Sequence, residues 1–390
     1  MEMLTFNLKD GHLEAMVRGF RSGFLTMEEY NLIGQAETLE DMRTAMEETD
    51  YGTFLQDEPL SLSVTRITQK CREKFASEFR LLRSQAYEPL ATFLDYITYE
   101  KMIDNVINVI QGAINKKPAD ELLSRLDPLG YFPEIRAFVA LDLSSSFDEL
   151  YKSILIDTSI GPYFDQFLRS FTGEYEDVTS IVKETDLEIL RNFLKKSWLE
   201  DFYEFCQTLN STTKEVMSHI LKSEADFRLL AITLNSLNFN LANTASLYPN
   251  FGYLYPEGTE QIRKAWNDTR VRAALEPYTK YYALYEQCKT FYVSDNVNDF
   301  GLNTDISRNE HTNRRNLADR QFKSLEDLLY AEIVSLCELA FEQQMNYGVF
   351  YAWTKLKEQE IRNITWIADM ILMKRRDQVD AIVPIFAPRV

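Results

Sequence analysis

Acidic and basic side chains recur at the same spacing inside three otherwise apolar stretches, and these are the residues whose types could do chemistry. The acidic pairs are Glu100 with Asp104, Glu224 with Asp226, and Glu358 with Glu360, and the second and third stretches add Arg228 and Arg362. Two carboxylates in one site can share the work of a general acid and a general base. Clustered carboxylates can also bind a metal ion. The three stretches therefore raise two chemical hypotheses, catalysis and metal binding, beside a structural one.

The histidines argue against a metal site. A di-iron helix bundle needs a Glu-x-x-His pair on two of its helices, and the chain has no such pair. Its three histidines, His12, His219 and His311, lie far apart in sequence. The chain also lacks a Gly-x-x-x-x-Gly-Lys phosphate loop, a Gly-x-Ser-x-Gly elbow and a His-Glu-x-x-His zinc helix. We therefore predict no catalytic residue, no metal and no cofactor.

The two arginines favour a structural interpretation of the acids. A guanidinium beside a carboxylate stabilises the ionised form and lowers the carboxyl pKa, which suits an ion pair better than a proton donor. Charge among core residues is costly unless opposite charges face one another or water. The pattern therefore predicts ion-paired networks on three related helices that line a common, wet axis.

The three stretches align with one another position by position. Glu100, Met102, Ile103, Asp104, Val106 and Ile107 correspond to Glu224, Asp226, Phe227, Arg228, Leu230 and Ala231, and to Glu358, Glu360, Ile361, Arg362, Ile364 and Thr365. A second repeat precedes each stretch, at Met42–Glu47, Leu150–Leu155 and Val271–Glu276. We predict a first helical lobe at 1–116, a second at 117–245, and a third at 246–390 with a polar insertion at 293–320.

Helical periodicity predicts an all-α fold. Apolar residues recur every three or four positions, for example at Leu187, Leu190, Leu194, Trp198 and Phe202. Only 13 glycines and 11 prolines interrupt the 390 residues, and no stretch alternates as a strand would. Thr26 with Glu29, and Thr38 with Asp41, form capping boxes that predict helix starts.

The net charge and the cysteine spacing restrict the partners and the cellular compartment that we expect for the protein. A net charge of −18 opposes binding to nucleic acid, because phosphate backbones are recognised by clustered Lys and Arg. Cys71, Cys206, Cys288 and Cys337 form no Cys-x-x-Cys pair, and we predict buried free thiols in a reducing compartment. No apolar run approaches the ~20 residues of a membrane span. We expect a cytosolic chain that meets a membrane only through a partner.

Short blocks along the whole chain also resemble those of a known family. They are Gly11–Gly19, Glu37–Asp41, Thr49–Gly52, Ala86–Leu90, Met102–Ile107, Leu254–Gly258, Phe350–Ala352, Lys355–Glu360, Arg362–Ile364 and Ile382–Phe386. In this order they are similar to subunit d of the eukaryotic V-type proton ATPase, a family with relatives among the bacterial and archaeal rotary ATPases. The resemblance runs from residue 11 to residue 386.

The resemblance implies a funnel-like, pseudo-threefold subunit of three helical lobes that hydrolyses nothing itself. It implies a peripheral position on the cytoplasmic face of vacuolar or endosomal-type membranes, between the proteolipid c-ring and the central rotor stalk. The stalk subunits of the D and F types and the cytoplasmic domain of subunit a are the other implied partners. We expect a central cavity that contacts the stalk through Glu100, Asp104, Glu224, Asp226, Arg228, Glu358, Glu360 and Arg362.

Two other functions stay open from the residues alone. A triplicated helical unit also fits a free-standing adaptor or scaffold, and an acidic cavity would fit an all-helical enzyme. The chain departs from the family pattern at Ala36 and Ile361, where the family often has cysteine, so no disulfide can join those two positions. Its insertion at 293–320 is longer than usual.

Overall fold

The computed structural model describes residues 2–56, 62–140, 157–171, 184–239, 244–287 and 325–386. The helices in chain order are α1 (Glu2–Lys9), α2 (Gly11–Gly19), α3 (Met27–Gly34), α4 (Leu39–Met46), α5 (Gly52–Leu55), α6 (Val64–Gln85), α7 (Leu90–Ile114), α8 (Ala119–Ser124), α9 (Glu134–Ala140), α10 (Gly161–Phe171), α11 (Glu184–Gln207), α12 (Ser211–Phe239), α13 (Glu257–Arg263), α14 (Asp268–Leu275), α15 (279–287), α16 (Leu325–Ala340) and α17 (Gly348–Leu372). Short 3₁₀ turns lie at Phe20–Gly23, Pro128–Gly130, Thr244–Leu247 and Arg376–Gln378. These residues contain no strand, and the all-α prediction is confirmed.

Six long helices form a closed ring. They are three consecutive pairs, α6 with α7, α11 with α12, and α16 with α17, and each predicted unit supplies one pair. Helix α7 packs on α11, α12 packs on α16, and α17 packs back on α6, while the two helices of each pair also touch. Helix α17 further contacts α7 and α12. The helices α7, α12 and α17 carry the three charged stretches, and we call them the inner helices.

Apolar burial explains why these helices pack as they do. The periodic residues of α11 are buried as expected, with Leu194 and Phe202 fully inaccessible and Trp198 1% exposed. The Trp198 indole also donates to the carbonyl of Tyr96 at 2.8 Å, which joins α11 to α7. Helix α17 is buried on nearly all sides, which is typical of a helix at the centre of a fold.

Within the described residues, the helix starts and the upstream repeat lie where the sequence predicts them. Both capping boxes are present, at Thr26 before α3 and at Thr38 before α4. The first and third copies of the upstream repeat fold as the short helices α4 and α14. The second copy at 150–155, the insertion at 293–320, Cys288 and His311 lie outside the described residues.

Three of the cysteines, Cys71, Cys206 and Cys337, are buried free thiols, which confirms that prediction for them. In the part of the chain that the structure describes, no helix has the length and apolar character to cross a membrane. Nor does that part bring together three His, Cys, Asp or Glu side chains that could hold a metal ion.

Candidate functional site

Glu100 of α7 pairs with cations on three other helices. Its Oε2 accepts a hydrogen bond from Lys355 Nζ of α17 at 2.8 Å. Its Oε1 lies 3.5 Å from Lys195 Nζ of α11 and 4.0 Å from Arg228 Nη2 of α12. The Glu100 side chain is 13% exposed. One carboxylate of α7 therefore binds cations from every other helix pair in the ring.

The first acids of the other two stretches complete the links between inner helices. Tyr351 of α17 donates its hydroxyl to Glu224 Oε2 of α12 at 2.7 Å. Lys101 Nζ of α7 lies 3.1 Å from Glu358 Oε1 of α17. Together with Glu100, these contacts join the three inner helices pairwise. We call the set of Glu100, Lys101, Asp104, Lys195, Glu224, Arg228, Lys355 and Glu358 the central charge cluster.

Asp104 extends the cluster by one helical turn along α7. Its Oδ2 accepts from Lys195 Nζ at 2.8 Å, and its Oδ1 lies 3.9 Å from Arg191 Nε. Lys195 thus bridges Asp104 and Glu100. Residues four apart share one face of a helix, so the spacing of these two acids already predicts that they face the same neighbour.

The pKa of Glu100 and the pKa of Glu224 are shifted in opposite directions. Burial by itself raises the pKa of Glu100, but the surrounding cations, Lys355 and Lys195 foremost, together hold this pKa well below its usual range. Burial raises the pKa of Glu224, and Lys355 only partly offsets it. The Glu224 Oε1 atom is buried without a hydrogen-bond partner. Glu100 is therefore held ionised, which suits a structural ion pair and not a proton donor.

A recess of about 180 Å³ opens beside the cluster, between α6, α7 and α17. Lys101, Glu358 and Arg362 line it, together with residues of α6. The Arg362 guanidinium lies 3.3 Å from the centre of the Tyr330 ring and donates to Gln359 Oε1 at 3.0 Å. The sequence predicts an acidic partner for Arg362; the structure instead pairs it with an amide and an aromatic ring.

Glu360 and Asp226, which share the third position of their stretches, lie in separate buried sites. Glu360 is inaccessible and accepts from the backbone N–H of Leu25 at 2.6 Å, from the Tyr51 hydroxyl and from Lys357 Nζ at 2.8 Å. Positions two apart on an α-helix point about 200° away from each other. Glu360 therefore cannot share the direction of Glu358.

Asp226 makes the corresponding contacts on α12. It accepts from the backbone N–H groups of Tyr253 at 2.9 Å and Leu254 at 3.2 Å, and from the Tyr281 hydroxyl at 2.6 Å. Burial raises the pKa of Asp226 to about 6. Like Glu360, it holds a leucine N–H and a tyrosine hydroxyl, so the two equivalent acids anchor equivalent pieces of chain.

The anchored pieces are a repeat that the sequence analysis missed. Gly23-Phe24-Leu25 docks on α17, and Gly252-Tyr253-Leu254 docks on α12. On α7, where Met102 replaces the acid, the segment Gly130-Tyr131-Phe132 approaches so closely that a Cβ on Gly130 would lie 2.3 Å from the carbonyl carbon of Lys101. The signal was available, because Leu25 and Leu254 are separated by the same number of residues as Met42 and Val271.

A pair of asparagines at one repeat position was also missed. Asn105 donates to the carbonyl of Asp127 at 3.0 Å and accepts from its N–H at 2.8 Å. Asn363 makes the same two bonds to Val383, at 2.7 and 3.2 Å. Each partner residue precedes a proline. The shared asparagine and the downstream X-Pro pair were the signal for this anchor.

The fold and the site define the class of protein: a helical-repeat ring whose units are joined by paired charges. Comparison with known proteins then gives its family. Residues 13–382 match the family model described as ATP synthase (C/AC39) subunit. The chain belongs to this family.

Relatives of known name are similar over the whole length. The chain is 41% identical over 387 residues to V-type proton ATPase subunit d of Dictyostelium discoideum, covering 98% of the chain and 97% of the relative. It is 39% identical over 388 residues to the probable V-type proton ATPase subunit d of Oryza sativa, covering 99% of each. It is 34% identical over 392 residues to V-type proton ATPase subunit d of Saccharomyces cerevisiae, covering 99% and 100%. The resemblance to the subunit d family is confirmed.

Proposed function

We propose that the chain is a non-catalytic subunit of a V-type proton ATPase that couples the central rotor stalk to the proteolipid c-ring. The observation that carries the proposal is Glu100, which joins cations from α11, α12 and α17 at the centre of a closed helical ring. The relatives named V-type proton ATPase subunit d support the identity of the complex.

A coupling subunit must transmit torque without its units sliding past one another. Paired charges in a partly dry site fix the register of neighbouring helices because a shifted arrangement leaves a charge without a partner. The links from Glu100 to Lys355 and from Glu224 to Tyr351 cross between units of the ring. The central charge cluster would therefore make the three units rotate as one body.

In this proposal the partly accessible charged residues face the stalk, and the buried acids bind segments within the chain. Glu100, Lys355, Arg228 and Glu358 are 13 to 20% exposed, so an axial partner could reach them. Arg362 lines the adjoining recess. In this scheme Asp226 and Glu360 hold the units together and do not touch the stalk.

The docked Gly-aromatic segments support a pseudo-threefold arrangement of the lobes proposed at 1–116, 117–245 and 246–390. The segment at Gly130 belongs to the second lobe and docks on the first lobe's inner helix. The segment at Leu254 belongs to the third and docks on the second, and that at Leu25 belongs to the first and docks on the third. Each lobe thus covers the one before it, in a cycle.

The partners that follow from this proposal are the c-ring below and the stalk subunits of the D and F types above, with the cytoplasmic domain of subunit a beside them. The location would be the cytoplasmic face of vacuolar or endosomal-type membranes. Both rest on the subunit d relatives.

Complementation tests the proposal. Cells that lack their own subunit d are given this chain with an affinity tag, and their membrane vesicles are assayed for ATP-driven acidification. We expect acidification to return and the tagged chain to purify with the c-ring and the stalk. A chain that purifies without either, and restores no acidification, would instead be a free-standing adaptor, and the proposal would fall.

A further inference from the structure

One of the three junctions between lobes is not made by the chain itself. After α7 the chain continues through α8 to the segment at Gly130 that docks on α7, and the segment at Gly252 that docks on α12 follows α12 along the chain. The segment that docks on α17 is Gly23–Leu25, which lies over 300 residues earlier. The third lobe therefore meets the first across a seam held only by non-covalent contacts.

The middle of this seam is a buried ionic site. Lys357 Nζ donates to Glu360 Oε2 at 2.8 Å and to the carbonyl of Gly23 at 3.1 Å, and these two charged side chains are 1% and 0% exposed. Leu25 and Tyr51 supply the other bonds to Glu360. Lys357 and Glu360 are both shielded from water. They therefore stabilise the closed seam only while Gly23, Leu25 and Tyr51 of the first lobe supply their hydrogen bonds.

The end of the seam is fastened by helix α2. Arg18 donates to the carbonyl of Phe341 at 2.6 Å, and Glu14 accepts from the N–H of Met345 at 2.8 Å. These bonds hold the turn between α16 and α17. Glu14 and Arg18 also pair with each other at 2.7 Å, so both fastenings are polar and reversible.

The segment that follows α17 packs beside Gly23–Leu25 at the junction that the backbone does not cross. The Phe386 ring lies 5.6 Å from the Phe24 ring, and the Arg21 guanidinium lies 4.1 Å above Phe386. Phe386 is itself held by its N–H, which donates to Glu338 at 2.6 Å. At this junction the segment after α17 and the segment at Gly23–Leu25 therefore touch through side chains, whereas at the other two junctions the backbone is continuous.

We infer that residues 11–55, from α2 to α5, form a clasp that detaches from α17 at this seam, while the ring of six long helices stays closed through the packing of Trp353 on α17 against Phe75 and Phe79 on α6. Opening here separates no covalently adjoining segments, and it returns Lys357, Glu360 and Arg18 to water, which offsets part of the lost bonding. The inference does not depend on the proposed function.

Hydrogen exchange of the full-length chain, resolved by peptide, tests the clasp. Glu360→Gln removes the charge at the seam, and Asp226→Asn is the matched control at a covalently continuous junction. Loss of a charge-assisted bond predicts about 10-fold or faster exchange at residues 24–55 in Glu360→Gln, with α11 and α12 unchanged. Asp226→Asn should give a smaller rise around Tyr253.

A second variant covers the case in which Glu360→Gln does not fold. Lys357→Met with Glu360→Met removes both buried charges at similar volume, which folds more readily than a single unpaired charge. It still removes the acceptor of Leu25 and Tyr51, so faster exchange of the clasp is again expected. Three outcomes would overturn the inference. Hydrogen exchange could become faster to the same degree in all six long helices, or exchange in the clasp could stay unchanged. Asp226→Asn could also accelerate exchange around Tyr253 as much as Glu360→Gln accelerates it in the clasp.

Discussion

Glu100 of α7 and Lys355 of α17 pair at 2.8 Å although 255 residues separate them in sequence. This contact joins α7 to α17, in the first and third of the proposed lobes, at the centre of the ring of long helices. It also shifts both groups in the direction expected of a stable pair: burial lowers the pKa of Lys355, but the attraction of Glu100 together with Glu224 raises this pKa well above its usual value. The pair is therefore the natural place to probe how the lobes are held together.

Removing the cation of this pair should weaken the whole fold. Lys355→Met leaves Glu100 with Lys195 at 3.5 Å and Arg228 at 4.0 Å. Because these cations remain and the site is partly accessible, we expect a loss of about 2 kcal/mol in the free energy of unfolding, below the cost of stripping a fully buried pair. Urea unfolding measures it.

A double-mutant cycle with Glu100→Gln separates the pair from its surroundings. We expect a coupling energy of about 1 to 2 kcal/mol. The control is Arg125→Gln, which breaks the exposed pair of Arg125 with Glu121 and should change stability by less than about 0.5 kcal/mol. Additive effects of Lys355→Met and Glu100→Gln would contradict a direct role for this pair.

Asp226 should make stability fall as the pH rises. Burial raises its pKa from 3.8 to about 6, so the folded chain binds this proton more tightly than the unfolded chain. The stabilisation from protonation is fully present below pH ~4 and is lost as the pH rises through 6. The free energy of unfolding of the wild type, minus that of Asp226→Asn, should decrease by about 3 kcal/mol from pH 4 to pH 7. Urea unfolding at several pH values measures this difference, and a constant difference would contradict the account.

Gly130 should tolerate no side chain. A Cβ there would lie 2.3 Å from the backbone carbonyl carbon of Lys101, which cannot turn aside as a side chain could. We expect Gly130→Ala to cost about 1 to 3 kcal/mol, as overpacking does. Gly19→Ala is the control, since nothing lies within 4 Å of its Cβ; helical Gly19 should gain stability on substitution. Thermal unfolding of the two variants gives the comparison, and equal melting temperatures would refute the close docking on α7.

Charge reversal at Glu358 should weaken coupling without loss of the fold. Glu358 is 20% exposed and pairs with Lys101 at 3.1 Å, so Glu358→Lys places two cations beside the recess. Glu360 is unsuitable for this test because it is buried at the seam. We expect less proton pumping per ATP hydrolysed in vesicles. Glu121→Lys, on an exposed helix, makes the same charge change and should pump normally; identical pumping by both variants would contradict a stalk-facing cluster.

Periodicity and the repeat were sufficient to predict the helical fold and the three inner helices. They also predicted that Glu100 and Asp104 would act together, because residues four apart share a helix face. They did not separate Glu358 from Glu360, although positions two apart point about 200° away from each other. The sequence pattern showed which helices carry charge, but the partners of Glu360, Leu25 and Tyr51, come from over 300 positions away. Contacts at that range depend on the closure of the ring.

The central claim is that the charge cluster faces the rotor stalk, and site-directed photo-crosslinking in the assembled ATPase tests it most directly. A photoreactive residue replaces Glu358 in one variant and Trp266, which is 73% exposed on another part of the chain, in the control. We predict crosslinks to a stalk subunit from position 358 and none from position 266. Crosslinks to the stalk from position 266, with none from position 358 in an intact complex, would contradict the account.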